Sequence, residues 1–271
     1  MKGFRHKQSL GQNFIADQAL LNRLLDHTAI NEDSAVLEIG AGRGDFSLAI
    51  AGRCKRLVTI EIDSRLEPVL AARFKPLPNI RLVMGDVMEL NLAQLMGTET
   101  EFHVAANLPY YLTTPILNLL LRLPVMITSV NIMVQREAAQ RILAQPGTPE
   151  YGPLGILTAY WGEAREAVRV PARMFTPQPK VDSSFLVINR HVAKHGEPLD
   201  EALFHRLVAA AFVMRRKTLV NNLIAGFALN REQALACLAS AGIPAQVRGE
   251  ALTLKEFIDL SNHLKEYIPE A

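Results

Sequence analysis

Short β-rich runs alternate with helical patterns along most of the chain, and this alternation restricts the fold more than any other feature. The runs cover residues 35–39, 56–61, 80–84, 102–106 and 125–134. Between them, residues 17–28, 45–52, 64–74, 115–121 and 136–144 carry apolar side chains at helical spacing. Strand–helix alternation predicts an α/β fold, a mostly parallel sheet with helices on both faces. One more run, residues 183–188, follows the Pro-rich loop 176–179 and reads as a late strand.

The pattern changes after Asn189. Residues 190–198 are polar and read as a linker. Beyond them the period is helical, with plausible helices over 203–212, 217–227, 231–241 and 253–267, two of them separated by a Gly242–Pro244 stop. The expected organisation is therefore a catalytic α/β domain over 1–190 and a small all-α domain over 191–271. With 271 residues, 49% of them apolar and 21% charged, there is enough material for one full domain and an appendage. The N-terminus lacks the apolar core of a signal peptide, and no run approaches the roughly 20 apolar residues that span a bilayer, so a cytoplasmic protein is expected. Cys54 and Cys237 match no zinc spacing, so no metal site is expected. Nothing suggests an obligate dimer interface, and a monomer is expected.

Net charge is +2, which excludes a histone-like protein but not a nucleic-acid enzyme, because distribution matters more than the total. Residues 1–16 hold Lys2, Arg5 and Lys7 without a carboxylate. Residues 202–231 hold Arg206, Arg215, Arg216, Lys217 and Arg231, again without one. An acid-free stretch of this length is a candidate phosphate-facing surface; a solvated helix face is the alternative reading.

Three strand ends carry candidate ligand-binding groups. The segment Val36–Gly44, VLEIGAGRG, runs from a strand into a helix, and its glycines let the backbone pass close to a ligand. Its spacing is GxGxG; position 45 is Asp, so the dinucleotide pattern GxGxxG is not met. Glu61 lies about twenty residues on, at the end of the next strand, where an acid can accept ribose hydroxyls. This pair alone leaves NAD and S-adenosylmethionine both open. Asp86 follows the third strand and can accept a hydrogen bond from an adenine amine. Glu38, just before the loop, can orient the loop or approach the ligand.

The fourth strand ends in Asn107-Leu108-Pro109-Tyr110-Tyr111. An adenine N6 amine is a poor nucleophile because its lone pair is delocalised into the ring. Acceptors that hold its two N–H bonds favour a tetrahedral nitrogen, and the Asn107 side-chain oxygen with the Leu108 carbonyl can supply them. Pro109 stiffens the turn, and Tyr110 offers a face for a flipped base. Phe175 can close the other side of that base or sit in the core. A nicotinamide-dependent oxidoreductase has no use for such a tetrad.

Taken together, Gln12-Asn13-Phe14, the glycine loop, Glu61, Gly85-Asp86, the NLPYY turn, the loop Phe175–Ser183 and Arg215–Leu219 occur in an order that closely resembles the ribosomal RNA adenine N6-dimethyltransferases, in particular their small-subunit group. The resemblance runs from about residue 5 to about residue 265. It implies a Rossmann-like class I methyltransferase domain with a seven-stranded sheet and a helical C-terminal rRNA-binding domain. It further implies S-adenosylmethionine as methyl donor, S-adenosylhomocysteine as product, and two adjacent adenines of 16S rRNA, within an immature 30S particle, as target. Cofactor contacts carry over to Gln12, Asn13, Ile15, Gly40, Gly42, Glu61, Asp86 and Asn107, base stacking to Tyr110 and Phe175, and RNA contact to Arg215, Arg216 and Lys217. Two departures stand out: GAGRG replaces the frequent GPGLG, placing Arg43 in the loop, and SLGQNF replaces RFGQNF. The rivals are a macrolide-resistance-type 23S rRNA methyltransferase and a non-catalytic ribosome assembly factor on the same scaffold.

Overall fold

The structure, a computed structural model, describes residues 13–123, 126–192 and 196–268, without the side chains of Tyr110 and Met126. Seven strands form one sheet: β1 Ala35–Ile39, β2 Arg56–Glu61, β3 Ile80–Met84, β4 Glu101–Asn107, β5 Met126–Gln135, β6 Gly162–Val170 and β7 Ser183–Arg190, in the order β3-β2-β1-β4-β5-β7-β6. β1 pairs in parallel with β2 and β4, β2 with β3, and β4 with β5; β7 runs antiparallel to β5. Every residue of β1 is buried, as expected of a central strand covered on both faces.

The helices are α1 Gln18–Leu25, α2 Asp45–Ala51, α3 Glu67–Phe74, α4 Leu92–Met96, α5 Thr113–Arg122, α6 Arg136–Ile142, α7 Pro153–Trp161, α8 Glu201–Ala211, α9 Leu219–Phe227, α10 Arg231–Ser240 and α11 Leu254–Leu264. On one side of the sheet, Leu20, Leu21, Leu24 and Leu25 of α1 and Ile50 of α2 share a core with Val36, Leu57, Phe185 and Val187. Among the described residues no helix is long and apolar enough to cross a membrane.

Three elements have no counterpart in the sequence reading: the five-residue α4, β6 and α7. β6 lies at one edge of the sheet, opposite β3, and Glu163, Arg165 and Arg169 are exposed along it. Charges on an edge guard it against pairing with other chains, and they also erase its apolar signal. α7, apolar all round, was not expected either.

The chain divides into two compact units, one of residues up to 139 with 164–190, the other of 140–163 with residues from 191 on. One division falls at residue 190, and the stretch 140–163, which the sequence reading placed in the first domain, groups with the C-terminal helices. The reason is aromatic and hydrogen-bonded packing. The Tyr160 ring lies 4.8 Å from that of Phe204 in α8, and the buried Tyr151 hydroxyl donates to the Leu252 carbonyl at 2.8 Å. In the same unit, Asn230 with Gln233 and Thr253 with Glu256 form capping boxes that start α10 and α11, and Asp200 caps α8.

Candidate active site

The strand order reverses between β1 and β4, and in such sheets ligands bind where the carboxyl ends of the strands part. A cleft of about 1150 Å³, measured out to its open mouth, lies there. Asn13, Gly40, Gly42, Glu61, Asp86 and Asn107 all line it, so residues far apart in sequence meet as expected.

The loop after β1 is fastened to β2 by the Gly40 and Ala41 amides, which donate to the Ile60 carbonyl at 2.9 and 3.0 Å. Gly40, Gly42 and Gly44 have φ of 84°, 56° and 83°, a region that side chains disfavour. At Gly42 a Cβ would also lie 2.8 Å from the Phe14 ring. Phe14 is held in turn by a two-way backbone bridge with Thr176, at 3.0 and 2.8 Å, so the loop carrying Phe175-Thr176-Pro177 fixes one wall of the cleft. Asn13 and Ile15, on either side of Phe14, line that wall.

Glu61 is buried. Its Oε2 accepts from the Gly42 amide at 2.7 Å and its Oε1 from the Asp63 amide at 2.8 Å. Loss of water raises its pKa, while these amides pull it down. The Ile62 amide pulls it down as well, and with two lone pairs on each oxygen the carboxylate, which lines the cleft, keeps acceptor capacity for a ribose hydroxyl. Asp86 Oδ1 takes the Met88 amide at 2.9 Å, leaving Oδ2 as an acceptor. These acceptors at the ends of β2 and β3, with an approachable glycine backbone at the end of β1, fit an adenosine-bearing cofactor.

Glu38 does not line the cleft. It lies fully buried under the loop, where Ser47 of α2 and Thr59 of β2 donate to its Oε2 at 2.5 and 2.6 Å and its Oε1 has no hydrogen-bond partner. Burial pushes its pKa up to about 7 against the pull of the two hydroxyls. Of the two readings the sequence allowed, loop support is the one its position serves.

At the end of β4, Asn107 Nδ2 donates to the Asn13 carbonyl at 3.0 Å. That bond uses the amide nitrogen and leaves Oδ1 as the acceptor. Pro109 fixes the turn, its carbonyl receiving the Leu112 amide at 2.9 Å. The Leu108 amide donates to the Met133 carbonyl at 3.4 Å, and among the described residues no backbone amide donates to the Leu108 carbonyl. Leu108 lines the cleft beside Asn107.

Three expectations change. Phe175 is not at the cleft: it is 3% exposed and packs in the core of the first unit, because the Phe14–Thr176 bridge turns it toward α1 and the sheet. Among the described residues, Tyr111, 57% exposed, is an aromatic residue that lines the cleft, which the doubled tyrosine of NLPYY could have signalled. Arg215 is engaged within its own unit, donating to the Pro149 and Tyr151 carbonyls at 2.8 and 3.3 Å and lying 3.6 Å from Glu250. Arg216 and Lys217 are exposed. Gln12, Lys2, Arg5, Lys7 and the Tyr110 side chain lie outside the described residues.

Cleft-lining residues to which the sequence reading gave no site role include Phe14, Asp45, Ile62 and Val87. Asp45 had a signal, as the charged residue where a dinucleotide loop continues; the apolar ones had none.

Strand order, antiparallel β7 and a nucleoside-type cleft at the switch point define the class as a Rossmann-like methyltransferase fold. A family model described as ribosomal RNA adenine dimethylase matches residues 3–266, and the chain belongs to that family. It is 40% identical over 269 residues to proteins named ribosomal RNA small subunit methyltransferase A from Bacillus mycoides (strain KBAB4) and Bacillus cereus (strain B4264), covering 97% of this chain and 92% of each relative. Its fold is similar to the crystal structure of a dimethyladenosine transferase from Plasmodium falciparum, with a TM-score of 0.81 at 22% identity over 94% of this chain and 98% of that one. It is also similar to the 23S rRNA methyltransferase ErmE, with a TM-score of 0.69 at 24% identity over 93% and 100%.

Proposed function

We propose that this protein transfers methyl groups from S-adenosylmethionine to N6 of two adjacent adenines near the 3′ end of 16S rRNA, acting as a monomer on the immature 30S particle in the cytoplasm. The observation that carries the reading is the anchoring of Asn107, whose amide nitrogen is spent on Asn13 so that its oxygen faces the work of the site. Asn107 Oδ1 and the Leu108 carbonyl accept the two N6–H bonds and draw the nitrogen toward a tetrahedral form, localising its lone pair. Pro109 holds the Leu108 carbonyl in place. No strong base is required at that point, because the nitrogen proton becomes acidic once the methyl group is attached.

When bound, the cofactor supplies a methyl group on a sulfonium. Asn13, Ile15, Gly40, Gly42, Glu61 and Asp86 hold it in this reading, with Glu61 on the ribose and Asp86 on the adenine amine. Tyr110 stacks on the target base, and Arg216 and Lys217 contact rRNA phosphates.

The test is methyl transfer from labelled S-adenosylmethionine to 30S subunits lacking the dimethyladenines and, in parallel, to 23S rRNA. The expected result is label on 30S, recovered as dimethyladenosine in 16S rRNA and lost in Asn107→Ala. Label on 23S rRNA alone would move the substrate to the large subunit. Cofactor binding without label on either would leave a non-catalytic assembly factor.

A further inference from the structure

We infer that Arg43 is the residue that recognises the carboxylate of the methionine end of the cofactor, so that the Arg in GAGRG makes binding selective for the intact amino acid. The inference rests on S-adenosylmethionine as the cofactor and adds the group that discriminates among its analogues.

The first argument is charge. Among the described residues that line the cleft, Arg43 is the single basic side chain, facing three acids, Asp45, Glu61 and Asp86. The ligand brings a sulfonium, an ammonium and one carboxylate. Acids suit the two cations and the nucleoside hydroxyls and amine, but a carboxylate enclosed with acids alone is repelled. Arg43 is the lining group of the right sign.

The second argument is availability. Asp45 is the acid that pairs with Arg43, its Oδ2 3.8 Å from Arg43 Nε, an ion pair beyond hydrogen-bond reach. Arg73 of α3 donates to Asp45 Oδ1 at 3.0 Å, while Asp45 Oδ2, the oxygen that faces Arg43, is buried without a hydrogen-bond partner among the described residues. The same Arg73 guanidinium, through its other nitrogen, donates to the Arg43 backbone carbonyl. Arg73 thus pins the main chain at Arg43 and shares Asp45 with it, so that among the described residues the Arg43 side chain keeps only a long ion pair. The Arg43 side chain stays 37% exposed and its fork of donors open. A guanidinium held in this way matches a carboxylate with two parallel hydrogen bonds.

The third argument is position. Acceptors for the nucleoside stand at the ends of β3 and β2, and the reacting nitrogen is held at the end of β4. The loop after β1 lies between them in the sheet, which is where the amino-acid end of the ligand has to fall.

The experiment is calorimetric binding of three ligands to the wild type, Arg43→Gln and Arg43→Lys: S-adenosylmethionine, its decarboxylated form, and methylthioadenosine, which lacks the amino-acid end. The wild type is expected to prefer S-adenosylmethionine over the decarboxylated ligand by about tenfold or more, the range of a charge-assisted hydrogen bond. Arg43→Gln is expected to cut that preference to about threefold or less while methylthioadenosine affinity stays within about twofold. Arg43→Lys, which keeps the charge but not the fork, is expected to fall between. An unchanged preference in Arg43→Gln would overturn the inference, and so would an equal loss for all three ligands, which marks a merely structural role. Failure of the wild type to bind any of the three would overturn the cofactor reading itself.

Discussion

Glu38 is enclosed beneath the glycine loop with one oxygen on two hydroxyls and the other on nothing. Its folded pKa of about 7 lies above the ordinary 4.5, with desolvation as the leading cause. An acid shifted upward stabilises the fold fully below its unfolded pKa, and that contribution fades as pH rises through the folded one. The window is thus between about 4.5 and about 7, worth about 3 kcal/mol for this shift. Glu38→Gln keeps the acceptor for Ser47 and Thr59 and cannot ionise. Urea unfolding of both proteins from pH 4 to pH 8.5 is expected to show the wild type losing stability relative to the variant across that window; parallel curves would mean that Glu38 does not titrate there. At Asn107 the expectation is chemical: Asn107→Ala loses about 10²–10³-fold in kcat, the usual cost of removing one preorganised polar group at a reacting centre, read in single-turnover transfer to 30S. The glycines, Glu61, Asp86 and Asn107 were legible because backbone approach and hydrogen-bond acceptance demand particular residue types. Phe175 was not, since an apolar residue in a Pro-rich loop has the same letter whether it faces a base or the core.

At the scale of elements, two positions in the helical unit pull in opposite directions. α9 ends on Ala228 at φ 55°, a left-handed cap that costs a residue with a Cβ about 1 kcal/mol relative to glycine. Ala228→Gly is expected to raise stability by up to about 1 kcal/mol, visible as a higher denaturation midpoint. Gly249 is the reverse case: a Cβ there would stand 2.7 Å from the carbonyl oxygen of Ala211, the last residue of α8. Gly249→Ala has to push backbone from backbone and is expected to cost about 2 kcal/mol or more. A neutral result at Gly249 would mean that the turn and α8 part without resistance. The strands β1, β2 and β4 were readable because buried parallel strands are continuous apolar runs, and β3, at an edge, carries a single charge, Arg81, and keeps its run. β6 was unreadable for the complementary reason, an edge strand whose charges suppress its pattern. α7 is apolar on all sides and so has no periodicity to detect, and it joins the other unit through Tyr160, a contact no local pattern encodes.

For the whole molecule, a net charge of +2 hides a division of labour inside Arg215-Arg216-Lys217. As a charge run the three residues are equivalent, which is how the sequence presents them. Their surroundings separate them. Arg215 is spent on the Pro149 and Tyr151 carbonyls and on Glu250, so it ties two stretches of its own unit together. All three are exposed, as a phosphate contact requires, so it is the internal bonds of Arg215 that set it apart. Each phosphate neutralised on binding contributes about one counterion to the salt dependence of affinity. Arg216→Ala with Lys217→Ala is therefore expected to leave the unfolding midpoint unchanged and to flatten log affinity for 30S against log salt by about 1–2 in slope. Arg215→Ala is expected to do the opposite, costing about 1–2 kcal/mol of stability through its lost charge-assisted bonds and leaving the slope alone. Unfolding midpoints and binding titrations at four salt concentrations decide between them. If Arg215→Ala flattens the slope as much as the double change does, the three act as one phosphate-binding cluster and the internal contacts of Arg215 give way when RNA binds.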